Sequence, residues 1–201
     1  KCLFVNPPIY DFAAYDFWIR PLGLLYVGSF LRSRGHSIRL VDCMDRFQDG
    51  QGHDLRPEDG RFSTGKFRRE IAAKPDNLRH VPRNFNRYGI PDELFNRLVL
   101  DGPRPDTVLV TCLMTYWYHG AFEAISRIRG LLPDVPVALG GIYATLCRSH
   151  AVANSGANVV ANTGDPSGII DCIEQMTGLR GDGNYPEHDF ASWLNPAWDC
   201  Y

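Results

Sequence analysis

The sequence lacks most of the spacings that announce chemistry. Its six cysteines (Cys2, Cys43, Cys112, Cys147, Cys172 and Cys200) are widely scattered. No CxxC or CxxxCxxC arises, and the chain offers no thiolate-held zinc or iron–sulfur site. The six histidines, His36, His53, His80, His119, His150 and His188, follow neither HExxH nor another ligand spacing. There is no GxSxG nucleophile elbow. GxGxxG and GxxxxGK[ST] are also missing, which argues against NAD, FAD and ATP by their usual modes. A net charge of −2 gives no electrostatic case for nucleic acid or a membrane surface. No apolar run is long enough to span a bilayer, and no secretory signal pattern occurs. The cysteine usage points to a reducing, cytoplasmic setting. The chain opens at Lys1 without a methionine and is expected to be a fragment or a trimmed form.

What is present is a chain of 201 residues, 44% hydrophobic and 22% charged, enough for one large domain with its own core. Short apolar runs alternate with helical patterns. Cys2–Val5 is the first run. Leu22, Leu25, Tyr26 and Phe30 then recur at helical spacing, and the pattern stops at Arg34-Gly35. Ser37–Asp42 and Thr107–Thr111 predict the next strands, and a helix carrying Phe122, Ile125, Ile128 and Leu132 runs up to Pro133. Pro136–Leu139 predicts a fourth strand, with a short helix over 144–155, and Asn158–Ala161 a fifth. A last helix opens at Asp165-Pro166, with Ile169, Ile170, Ile173 and Met176 on its buried side and Gly178 at its end. Five strand–helix repeats with continuously apolar strands predict an α/β fold, a Rossmann-like or flavodoxin-like doubly wound parallel sheet with helices on both faces.

One segment exceeds the repeat. Between the second and third strands, residues 44–90 read as a basic insertion, followed by a crossover helix over Pro91–Leu100. Residues 46–89 carry ten of the 21 Lys and Arg. The insertion is either a solvated excursion or a contact surface for another domain or a phosphate-bearing ligand.

Ligands of open parallel sheets bind at the carboxyl ends of the strands, where the strand order reverses. After the first strand come Asn6, Pro7, Pro8 and Tyr10, then an aromatic loop with Phe12, Tyr15, Phe17 and Trp18 that serves packing or stacking. After the third come Thr111-Cys112-Leu113-Met114-Thr115, with Tyr116, Trp117 and Tyr118 facing a ligand, the insertion or a neighbour. The hydroxyls there either hold a ligand or cap the next helix. After the fourth come Gly140, Gly141 and Ile142, where the missing side chains admit a bulky ligand or simply a tight turn. After the fifth come Thr163 and Gly164. Cys112 and His119 form the only nucleophile–base pair that can be drawn, and nothing in the sequence orients it.

Taken together, Asn6-Pro7-Pro8, Arg20-Pro21-Leu22-Gly23-Leu24-Leu25, Leu31-Arg32-Ser33-Arg34-Gly35-His36 and Val41-Asp42 resemble the N-terminal cobalamin-binding domain of radical S-adenosylmethionine enzymes. Pro105–Thr111 and Leu139-Gly140-Gly141-Ile142-Tyr143-Ala144-Thr145 extend the resemblance over nearly the whole chain outside the insertion and the tail. Of that family's signatures, SxL is matched by Thr111-Cys112-Leu113 with the hydroxyl kept, and the Gly-Gly by Gly140-Gly141. DxHxxG is absent, since no histidine precedes His36.

The resemblance implies a cobalamin bound without a protein histidine on cobalt. The nucleotide tail would slide between sheet and helices, and the corrin would rest on the strand-end loops. The site it implies comprises Asn6, Pro7, Pro8, Tyr10, Thr111, Leu113, Thr115, Tyr116, Gly140, Gly141, Ile142, Thr163 and Gly164. It further implies, outside this chain, a radical S-adenosylmethionine domain with a 4Fe-4S cluster, acting on a small-molecule substrate by methyl transfer or radical rearrangement. On this reading residues 1–189 are the cobalamin-type domain and 190–201 a linker. The tail, with Trp193, Trp198 and Tyr201, either runs towards that partner domain or folds back on its own core. Two rival functions stay open: a fold that has lost its cofactor and docks a substrate or partner through the basic insertion, and a self-sufficient small-molecule enzyme.

Overall fold

The structure is a computed structural model and describes residues 1–47, 60–161, 166–177 and 195–201. Its core strands are β1 (Cys2–Asn6), β4 (Ile38–Asp42), β8 (Thr107–Thr111), β9 (Val137–Gly140) and β10 (Val159–Val160). They form one parallel sheet in the order β10-β9-β8-β1-β4. The chain thus winds outward from β1 in both directions, and the order reverses between β1 and β8. This is the doubly wound α/β architecture that the alternating pattern predicts.

The pleat divides the apolar runs between two cores. Leu3, Val5, Val41, Val108, Val110, Val137 and Leu139 point to one face. Helices α2 (Asp92–Leu100), α3 (Tyr118–Leu131) and α5 (Arg148–Asn154) cover it, supplying Phe95, Ala124, Ile125, Ile128 and Ala151. Cys2, Phe4, Leu40, Leu109 and Ala138 point to the other face, against α1 (Leu22–Arg32) and α6 (Pro166–Thr177). Both faces are buried, which is why these strands carry no polar alternation.

Three local expectations are revised. The segment 144–155 is two helices, α4 (Ile142–Leu146) and α5, broken at Cys147, whose φ of −116° and ψ of 37° are not helical. Helix α1 buries Leu24, Leu25, Gly28, Phe30 and Leu31 and leaves Leu22 exposed. Its face is set by Gly28, where an added Cβ would lie 3.2 Å from Phe4 and 3.3 Å from Ala197. The loop after β1 holds two short strands, β2 (Ile9–Asp11) and β3 (Tyr15–Asp16). They pair with β7 (Asn86–Tyr88) and β5 (Gly65–Lys66), and β6 (Arg69–Ile71) pairs with β7.

Within the expected 44–90 segment, Phe67, Phe85 and Tyr88 are therefore buried. A charge network ties the small sheet to the helices. Glu123 of α3 accepts from Arg87 at 3.1 Å and from the Tyr10 hydroxyl at 2.9 Å, while Arg87 meets Asp92 at 3.0 Å. Residues 48–59 of that segment, together with Thr163, Gly164, the Asp165 cap, Gly178 and the side chains of Ile169 and Ile170, lie outside the described residues.

Residues 195–201 pack against α1. Ala197 is buried, Arg32 meets Asp199 at 2.6 Å, and the Tyr201 hydroxyl donates to Asp42 at 2.5 Å. Among the described residues no helix is long and apolar enough to cross a membrane.

Candidate functional site: a cleft at the strand ends

The register of the sheet assembles the site. Thr111, the last residue of β8, stands opposite Gly140, the last of β9, just as Leu109 stands opposite Ala138. All four sit at the floor of a cleft of about 490 Å³ between the sheet, α1 and α4. On this face β9 presents only the small Ala138 and Gly140, which leaves space between the sheet and α1. Its walls are Gly23, Leu24, Tyr26 and Val27 of α1, and Ile142, Thr145 and Leu146 of α4. The volume lies in the range of small-molecule and cofactor pockets, and the lining is mostly apolar with a few hydroxyls, the usual composition of such sites.

Thr111 is the polar group at the floor, and its hydroxyl makes no hydrogen bond to a described residue. Gly141 has φ +93°, and a Cβ there would lie 2.6 Å from the Cys112 carbonyl oxygen and 2.9 Å from Thr111 Oγ1. Glycine is thus required by the backbone itself.

A second, smaller chamber of about 210 Å³ opens at the switch point between β1 and β8, lined by Asn6, Pro7, Asp11, Leu113, Tyr116 and Trp117 among others. Asp11 is used internally, accepting from Trp117 Nε1 at 2.8 Å. Asn6 donates to Asp42 at 2.6 Å. Burial pushes the Asp42 carboxyl up to about 6, against the lowering effect of its hydrogen bonds from Tyr201, Asn6 and the Met44 amide. Leu113 borders both chambers. Around their mouths Tyr116, Ile142 and Leu146 are exposed by 56%, 51% and 71%, an apolar rim at the carboxyl edge of the sheet.

Of the residues singled out from the sequence, Thr111, Leu113, Gly140, Gly141 and Ile142 meet at the cleft, and Asn6, Pro7, Leu113 and Tyr116 at the smaller chamber. Three stand apart. Pro8 is buried under α3, where its carbonyl packs on Gly120. Tyr10 faces the Arg87–Glu123 network; burial first, and then the Glu123 carboxylate it donates to, push its hydroxyl up to about 12. Thr115 opens a single 3₁₀ turn, Thr115–Trp117, and borders neither chamber. The α1 wall, and Thr145 and Leu146 of α4 beside the expected Ile142, were not foreseen. Gly23 was the available signal, since a glycine inside a helical pattern costs stability unless something needs the space.

The Cys112–His119 pair does not form a catalytic unit. Burial pushes the Cys112 thiol up to about 12, its Sγ donates to the Met114 carbonyl at 3.3 Å, and His119 stacks on Tyr118 at 4.0 Å. Among the described residues no group of three or more His, Cys, Asp or Glu is placed to hold a metal ion. No protein-family model matches the sequence, and no curated protein does either.

Proposed function

We propose that the chain is the cobalamin-binding module of a larger radical S-adenosylmethionine enzyme. The observation that carries this is the pairing of Thr111 with Gly140 at the floor of a mostly apolar cleft, beside the reversal point of a doubly wound sheet. A long, flat-ended ligand with a polar tip fits such a cleft. Its apolar body would run between α1 and the sheet, and the Thr111 hydroxyl would meet the tip. A wide macrocycle attached to that tail would rest on the exposed rim of Tyr116, Ile142 and Leu146.

When bound, cobalamin supplies a cobalt centre for methyl or radical chemistry. This chain's own part is to seat the tail, shield one face of the macrocycle from water and leave the other face open to a partner domain. No histidine lines the cleft among the described residues, so the groups there that would hold the cofactor are the Thr111 hydroxyl and the apolar walls of α1 and α4.

Titration of the purified chain with hydroxocobalamin, followed by desalting and visible absorbance, tests the reading. Stoichiometric retention, with a spectrum free of an imidazole ligand, is expected. Failure to retain cobalamin both here and in a longer chain that includes the following domain would reject it.

A further inference from the structure

The described cations of the expected insertion are not equally engaged. Arg46 is buried against Asp16 at 3.8 Å, Arg87 is held by Glu123, Arg79 pairs with Asp76 at 2.6 Å, and Lys74 donates to the Val81 carbonyl at 2.6 Å. Lys66 and Arg69 are exposed and have no carboxylate partner among the described residues. Between them, Arg68 gives Nη2 to Glu70 at 2.6 Å, while its Nη1 is sealed from solvent without an acceptor among the described residues. A guanidinium nitrogen in that state has a hydrogen bond still to make.

These charges line one groove. Lys66 and Arg68 flank the buried Phe67, and Lys66 pairs with Tyr15. With Arg69 they form one wall of an open groove of about 540 Å³, and Phe12–Tyr15 form the other. Ala13, Ala14, Tyr15 and Phe67 line both this groove and the 210 Å³ chamber at the switch point, so the two spaces adjoin.

We propose that this groove binds the phosphate group of a small phosphate ester, whose remaining part runs into the adjoining chamber. Three cations on one wall match a dianion better than a single carboxylate, and a guanidinium fork suits phosphate oxygens. The groove is short and the chain's net charge is −2, which disfavours an extended polyanion. The chamber ends at Leu113, on the border of the large cleft. Assigning the ester as the substrate rests on the cobalamin reading; phosphate binding itself does not.

Calorimetric titration of the cofactor-free chain with inorganic phosphate and with phenyl phosphate tests this. Both should bind saturably, and phenyl phosphate more tightly because its ring enters the chamber. Lys66→Gln and Arg69→Gln, at exposed positions with no carboxylate partner among the described residues, should each weaken binding about tenfold or more, the effect of deleting one charged hydrogen bond, with the urea midpoint unchanged. No saturable binding at concentrations on the order of 10 mM, or binding indifferent to both substitutions, overturns the site. Equal affinity for the two probes overturns the chamber as the path of the ligand. Hydroxocobalamin retention is read on the same samples, so failure of the cofactor reading is scored separately from failure of the phosphate site.

Discussion

Gly23→Leu separates ligand binding from folding more cleanly than a substitution at the Gly-Gly. Gly23 lies in the first turn of α1 and lines the cleft, and a Cβ built there meets nothing within 4 Å. A leucine therefore finds room for its Cβ at a position that lines the cleft, and its side chain is expected to take up part of that space. Replacing glycine in a helix stabilises it by about 0.5–1 kcal/mol. A ligand occupying the same space must then be accommodated around a new side chain, at the cost of about 1–3 kcal/mol typical of overpacking. That corresponds to a roughly 5- to 150-fold weaker hydroxocobalamin affinity. Urea unfolding and the absorbance titration measure the two quantities on one preparation. The expected result is a stability equal to or above that of the parent, together with weakened cobalamin binding. A variant that folds and binds cobalamin as well as the parent would show that the tail does not enter this cleft. Gly141→Ala is the confounded comparison, because its new Cβ strikes the Cys112 backbone whether or not a ligand is present.

Three further outcomes follow from buried groups. Asp42 titrates near 6 in the folded chain against an ordinary 3.8, so its contribution to stability is fully present below about pH 4 and is lost as pH rises through 6, a difference of about 3 kcal/mol. Asp42→Asn should accordingly gain on the parent between pH 5 and 7 in urea midpoint, and a constant gap across that range would refute the assignment. Glu123→Gln removes the carboxylate that holds the buried Arg87 and should destabilise by about 3–5 kcal/mol in chemical unfolding; a loss below about 1 kcal/mol would show that Asp92 alone suffices. Gly120→Ala places a Cβ 1.7 Å from the Pro8 carbonyl oxygen, so helix α3 must lift off the β1–β2 loop. A loss of about 3 kcal/mol or more is expected, and a parent-like unfolding midpoint would contradict the packing.

The sheet was legible because its signal is local. A strand buried on both faces must be apolar throughout, and Cys2–Val5, Thr107–Thr111 and Pro136–Leu139 are short enough, and closely enough bounded by proline, glycine or aspartate, to be read as strands. The hydroxyl of Thr111 and the Gly140-Gly141 pair were legible as strand-end features for the same reason. The placement of Tyr10 was not. Its sequence neighbours Asn6 and Pro7 reach the switch point, but pairing of Ile9–Asp11 with Asn86–Tyr88, more than 70 residues away, turns the ring towards Glu123. The segment 144–155 reads as one helix because its composition is uniformly helix-compatible. The break at Cys147 serves tertiary packing, letting α4 wall the cleft while α5 sends Ala151 into the core.

By itself, then, the sequence determined the doubly wound class and the positions of the strand ends, since burial on two faces and turn chemistry are written residue by residue. Only the tertiary structure decided that Thr111 meets Gly140, that Gly23 and α4 complete the cleft, and that Lys66, Arg68 and Arg69 share one groove while Arg46 and Arg87 are spent on carboxylates. Each of those depends on register or on a contact between distant segments, and neither leaves a local trace in composition or spacing.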